Sequence, residues 1–255
     1  MLKQLGRSIL GQYFGPFFIL MTTAEIMQQL AGLGSETTKN TLLKHGAREP
    51  FFGVKVGDLK PIQKKIKKNH SLAMELYATG NSDAMYLAGL IADEKAMTKD
   101  DLQRWAEQAY WYMLSEYTVA WVAAESEHGF ELAKEWIQSE NERLATAGWA
   151  TLASLAGHKP DSELDLSYLH RQLDYVQQHI HDSPNRVRYT MNGFVIAIGS
   201  FVPALADKAK AVASVIGKVE VYMGETSCKV PEAFPYIEKV EKMGRAGKKK
   251  KSTRC

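Results

Sequence analysis

The chain has 255 residues, 45% hydrophobic and 24% charged, enough for one sizeable core and too apolar for a disordered or fibrous protein. Its two cysteines, Cys228 and Cys255, exclude a disulfide framework and fit a reducing, cytoplasmic setting. The formal charge of +3 conceals an acidic body: residues 22–241 hold 23 basic against 29 acidic groups, so contact with a polyanion must come from local clustering and not from bulk charge.

Residues 1–20 contain no acid and are interrupted by Gly6, Gly11, Gly15 and Pro16. A membrane span needs about 20 largely apolar residues, and no small-residue cleavage site follows Lys3, Arg7 and the apolar run as it would in a secretory signal. Residues 1–21 therefore read as an N-terminal extension upstream of a functional start at Met21. A helix is expected at once, with Thr22 or Thr23 as its cap, Glu25 in its first turn, and Ile26, Leu30 and Leu33 on one face.

From there apolar residues recur every three or four positions, with breaks at Gly34, Gly46, Gly80, Asp93, His128, Gly157 and Ser183. Helices are predicted over residues 22–32, 35–45, 58–68, 70–79, 82–92, 98–114, 116–125, 129–138, 140–156, 164–181, 185–199, 202–216 and 231–243. Helix pairs that cannot bury both faces alone stack on their neighbours, and the stack curves. The expected fold is an all-α, HEAT-like helical-repeat solenoid of stacked antiparallel helix pairs with a concave groove, over residues 22–243.

Within the first third, nine lysines and arginines between Lys39 and Lys68 face only Glu49 and Asp58. This is either a solvated face or a phosphate rail, with Lys55, Lys60 and Lys64 as the DNA-binding candidates. The centre of the chain, Trp105 to Glu125, places three tryptophans and three tyrosines in 17 residues. On a regular helix Trp111, Ser115, Thr118 and Val122 share one stripe, and Trp105, Ala109, Tyr112 and Glu116 another. Such stripes belong to a core or to a platform for a base, a sugar or a cation.

Further along, Asn185 to Phe194 is either an ordinary helix with two solvated arginines or a stretch that sets Arg186, Arg188 and Asn192 on the groove. His179 and His181 lack a partner set at zinc spacing, so no metal site is expected. Cys228 beside Lys229 reads as a small core residue. The tail, residues 244–255, has no apolar anchor and is expected to be basic and disordered, either solubilising or adding a sequence-independent grip on nucleic acid.

Five colinear segments resemble the AlkD-type DNA alkylation repair proteins: FFGVKVGDLK at residues 51–60, GNSDAMYLAGLIAD at 80–93, the Trp-rich centre at 111–121, KEWIQSENERLATAGWATLASL at 134–155, and NRVRYTMNGFVIAIG at 185–199. The resemblance implies HEAT-like helix pairs, a groove that holds double-stranded DNA, and a monofunctional glycosylase that removes cationic N3- or N7-alkylated purines without a metal; a monomer without a cofactor is expected. It maps the first catalytic aromatic onto Trp111 and the second aromatic wall onto Phe194. The position of the catalytic aspartate is Ser115, and that of a DNA-contacting arginine is Thr146. Glu116 is then the nearest acid, reaching the site if the chain turns between two helices and pointing about 100° away on an unbroken one. Two readings follow. The first is a glycosylase using Trp111, Glu116 and Phe194; the second is a catalytically silent protein binding DNA or a protein partner through the same groove, with Ser115 lining it.

Overall fold

The computed structural model describes residues 21–254; residues 1–20 of the expected extension, and Cys255, lie outside them. The helices are α1 (Thr23–Leu33), α2 (Glu36–Lys44), α3 (Val56–Ile66), α4 (His70–Ala78), α5 (Ser82–Ile91), α6 (Lys99–Gln108), α7 (Ala120–Glu125), α8 (Gly129–Trp136), α9 (Glu142–His158), α10 (Leu166–His179), α11 (Asn185–Phe201), α12 (Ala206–Ile216) and α13 (Ala233–Lys242). A π-helical segment, Met113–Val119, runs into α7. No strand occurs among the described residues, and each predicted segment overlaps one of these helices. Capping side chains fix many of the starts. Thr22 closes a capping box with Glu25, Thr98 one with Asp101, and Ser35, Asn69, Asn81, Asn141 and Asp165 each accept a first-turn amide.

The pairs α4/α5, α8/α9 and α11/α12 pack as units, and α5, the π segment with α7, α9 and α11 lie side by side in a continuous row. Their apolar faces form two clusters, one mainly from residues 26–136 and one mainly from 133–237. Burial of apolar area at about 25 cal/mol per Å² is what holds such a stack, since each short helix alone is marginal in water. Close approach of α5 to the π segment depends on Gly89, where a Cβ would stand 2.6 Å from Thr118 Cγ2.

The predicted helix over 98–114 is in fact broken. Helix α6 stops at Gln108, Ala109 turns extended, and the coil restarts at Trp111, whose carbonyl accepts the amides of Leu114 and Ser115. Periodicity did not reveal this because the apolar pattern continues across the break. The Trp105 carbonyl at the break accepts both the Ala109 amide and the Tyr77 hydroxyl, with Tyr77 stacked on Trp105 at 4.0 Å. Of the three central tryptophans, Trp105 is a core residue, Trp111 forms the wall of one pocket and Trp121 borders a second hollow.

The segment Phe51–Val54 owes its form to Asp83. One carboxylate accepts the amides of Phe52, Gly53 and Val54, at 2.6, 3.0 and 3.3 Å. Gly53 sits at φ 80° with its α-carbon against the Lys39 backbone, where only glycine fits. Burial raises the Asp83 carboxyl, against the lowering effect of the three amides.

The tail also departs from expectation. Residues 245–254 form an ordered strap and not a disordered end. The Gly247 amide donates to Ser200 O, the Lys250 amide to Gly157 O, and Lys249 Nζ to Ala156 O while pairing with Asp161. Ser252 and Thr253 bond Glu125, and Arg254 pairs with Glu94 and Glu125 and donates to Ala92 O. Composition predicts disorder when no apolar anchor exists; here carbonyls and carboxylates of α7, α9, α11 and the segment just after α5 supply a polar anchor instead.

Candidate functional site

A pocket of ≈ 280 Å³ opens where the two apolar clusters meet, between the π segment and the N-terminal ends of α9 and α11. The break at Ala109 turns Trp111 into its wall, where Nε1 donates to Ser82 Oγ at 2.7 Å. The π winding begins only at Met113, and Glu116 nonetheless shares the pocket side with Trp111 and Ser115. All three line the pocket, with Thr146 from α9 and Arg186 from α11. The Ser115 and Thr146 hydroxyls are only 3.5 Å apart, and neither supplies a charge.

Glu116 does not present a free carboxylate. Its side chain is 3% exposed and held by both arms of Arg186, Nε to Oε1 at 2.7 Å and Nη2 to Oε2 at 2.5 Å. The guanidinium lies between two rings, 4.4 Å from the centroid of Tyr112 and 4.3 Å from that of Tyr189. Burial pushes the Glu116 carboxyl up to about 7, although Arg186 pulls it down. Glu142 completes the arrangement by accepting the Arg186 amide at 2.6 Å. A fork-to-fork arginine with two ring contacts thus already engages the carboxylate that would otherwise face a cationic ligand.

The structure thus brings together Trp111, Ser115, Glu116 and Arg186, and leaves the other candidates elsewhere. Phe194 is fully buried, edge-on to Trp149 at 5.3 Å, and does not line the pocket. The open side of that turn belongs to Gly193, one residue or about 100° round the helix, where a Cβ would meet nothing within 4 Å. Asn192 is 1% exposed and donates to Pro231 O, and Arg188 lies two residues on from Arg186, near Glu220 and outside the pocket. Both belong to the packing of the 217–232 loop and not to the groove. Lys55, Lys60 and Lys64 are exposed and carry no ion pair among the described residues, but none reaches the pocket; Lys64 stands beside the strap. Residues not singled out from sequence line the mouth: Arg48, Arg143, Tyr110 and Tyr222. Arg48 was visible only as one charge in a basic run, and nothing local marked Tyr222.

One face of the stack connects this pocket with the strap. Thr146, Ala153 and Gly157 of α9, and Arg186, Gly193 and Ala197 of α11, are spaced at i, i+7 and i+11 and share a side of their helices. The first of each set lines the pocket, and the others line a second hollow of ≈ 410 Å³ bordered by Arg245, Lys250 and Thr253 of the strap. Lys250 borders this hollow, and Lys248, Lys250 and Lys251 are exposed and form no ion pair among the described residues. Tail lysines are thereby laid as a fixed basic rail on a body that is otherwise acidic.

A family model described as DNA alkylation repair enzyme matches residues 26–217. Uncharacterised proteins of Listeria innocua and Listeria monocytogenes are 34% and 32% identical over 226 residues, covering 86% of this chain and 97% of each relative. A solved structure described as a new family of proteins related to the HEAT-like repeat DNA glycosylases, with affinity for branched DNA structures, is 42% identical. Its TM-score is 0.85, over 92% of this chain and 100% of that one. The all-α, HEAT-like repeat architecture is common to both.

Proposed function

The chain belongs to the DNA alkylation repair enzyme family, and on that premise we propose that it is a DNA-binding member that holds branched DNA in its helical-repeat groove and excises no base. The observation that carries this reading is the Arg186 guanidinium, clamped on the pocket's buried carboxylate between Tyr112 and Tyr189. Excision of a cationic purine develops oxocarbenium character on the sugar, and an acid must face that charge. Serine at position 115 cannot, and Glu116 is already neutralised. Affinity for branched DNA in the 42% identical structure supports the choice of ligand, and the fixed lysines of the strap supply phosphate contacts.

A second reading, removal of N3- or N7-alkylated purines from duplex DNA, is favoured by one observation. Glu116 lies at about 7 beside Trp111, within the range suited to acid–base work. One pair of assays separates the two. Purified protein incubated with N7-methylguanine DNA is expected to release free base at the protein-free rate, while fluorescence anisotropy shows tighter binding to a three-way junction than to a linear duplex at the same salt. Release roughly 100-fold or more above that rate, abolished by Glu116→Gln, would replace the binding reading with the glycosylase reading.

A further inference from the structure

Resting on the DNA-binding reading above, we propose that the mouth of the pocket is a site for one unpaired nucleotide of a branched DNA, its base stacked on Tyr222 and its phosphate held by Arg143 and Arg48. Three independent features meet there.

The first is an aromatic platform. Tyr222 is 69% exposed, the most exposed large apolar side chain among the described residues. An exposed ring on a long loop is normally carried by mobile backbone, yet the backbone under this one is held. Asn185 at the start of α11 donates from Nδ2 to the Tyr222 carbonyl at 2.9 Å and accepts the Tyr222 amide at Oδ1 at 2.7 Å. Two residues on, Gly224 at φ 77° lies against the Lys44 carbonyl, which accepts the Glu225 amide at 2.9 Å. The loop is therefore bolted to α11 on one side and to the end of α2 on the other, and the ring is held out to solvent with its backbone already ordered. Such a ring stacks a base with no added cost of ordering its backbone.

The second is charge with no protein partner. Arg48 and Arg143 line the same mouth and form no ion pair among the described residues, unlike Arg186, whose guanidinium is paired with Glu116. Arg143 Nε is buried and unpartnered, and its residue lies in the first turn of α9, where the helix dipole adds to its attraction for an anion. The third is size. At ≈ 280 Å³ the pocket is just below the range of about 300–1,000 Å³ for drug-sized ligands, a size that suits one nucleotide. In a continuous duplex both faces of every base are stacked, so only an unpaired nucleotide, of the kind found at a branch point, offers a free face and a phosphate together.

The test is a three-way junction with 2-aminopurine unpaired at the branch and a separate dye on one arm for anisotropy. Binding is expected to quench 2-aminopurine at least about twofold beyond its free-junction level, the sign of stacking on an aromatic ring. Tyr222→Ala should weaken junction binding by roughly 5- to 100-fold and remove most of the preference over duplex, whereas Tyr222→Phe retains both. Arg143→Ala should also weaken the junction more than the duplex. A complex seen by anisotropy whose 2-aminopurine signal is unchanged, or equal losses for junction and duplex in Tyr222→Ala, overturns the site and leaves the DNA-binding reading standing. No anisotropy change with either DNA overturns both.

Discussion

Arg186→Ala is expected to lower the unfolding free energy by about 3–5 kcal/mol, because it strands a buried carboxylate without its counter-charge. In a chain of this size that corresponds to a fall in Tm of roughly 6–20 °C. The change removes both bonds to Glu116 and the ring contacts with Tyr112 and Tyr189. Protonation gives the prediction its second edge. Burial places the native Glu116 carboxyl at about 7, above the ordinary 4.5, so the folded state binds its proton more tightly than the unfolded state does. The stability from this group is therefore fully present below the unfolded value and is lost as pH rises toward 7. Without Arg186 the group rises further. The variant's deficit should then be small near pH 5, where Glu116 is neutral, and large near pH 8. Adding Glu116→Gln to Arg186→Ala should recover part of the loss at pH 8. Thermal melts showing the same deficit at both pH values would overturn this account of the pair.

Deleting residues 245–255 is expected to act on both stability and DNA affinity. Arg254 is the deepest part of the strap, 7% exposed between Glu94 and Glu125, whose side chains are 10% and 11% exposed. Breaking a pair at this depth costs about 3–5 kcal/mol, so Arg254→Ala alone should reproduce most of the stability loss. Burial raises both carboxyls, but Lys68 and Arg254 around Glu94, and Ser252 and Arg254 around Glu125, hold them below their ordinary value. A depressed carboxyl stabilises the fold above its unfolded value and loses that contribution as pH falls through its folded one. The strap's contribution should accordingly be larger at pH 7 than at pH 4. Deletion also removes the exposed Lys248, Lys250 and Lys251. The slope of log affinity against log salt should flatten by about 0.9 for each phosphate that the strap no longer neutralises, uniformly across DNA sequences. An unchanged melting temperature would make the strap dispensable to the fold, and an unchanged slope would remove it from the DNA interface.

What the sequence determines by itself is whatever one helix can express within a few residues of its own chain. Apolar residues at three- and four-residue spacing produced the all-α array, and Thr22 with Glu25 marked the first helix because capping bonds span only three positions. Glycine and aromatic placement in residues 51–60 was equally legible as a motif, although its cause, the Asp83 carboxylate, lies about thirty residues away. Trp111, Ser115 and Glu116 could be gathered in one stretch, but whether Glu116 faced the site hung on a chain break that leaves the apolar period intact. Tertiary packing decided that break, with Tyr77 holding the Trp105 carbonyl and Thr118 seated on Gly89. It also decided that Phe194 points into the core and Gly193 toward the groove, a rotation of one residue that similarity of pattern does not register. The bond between Arg186 and Glu116 joins positions 70 apart, and the strap ties Arg254 to Glu94 across 160. Charge partners at such separations are chosen by the stacking of helices and not by neighbours in sequence. For that reason composition alone made Arg186 a solvated or groove-facing arginine and the tail a disordered one, whereas the folded stack makes the first a clamp and the second a strap.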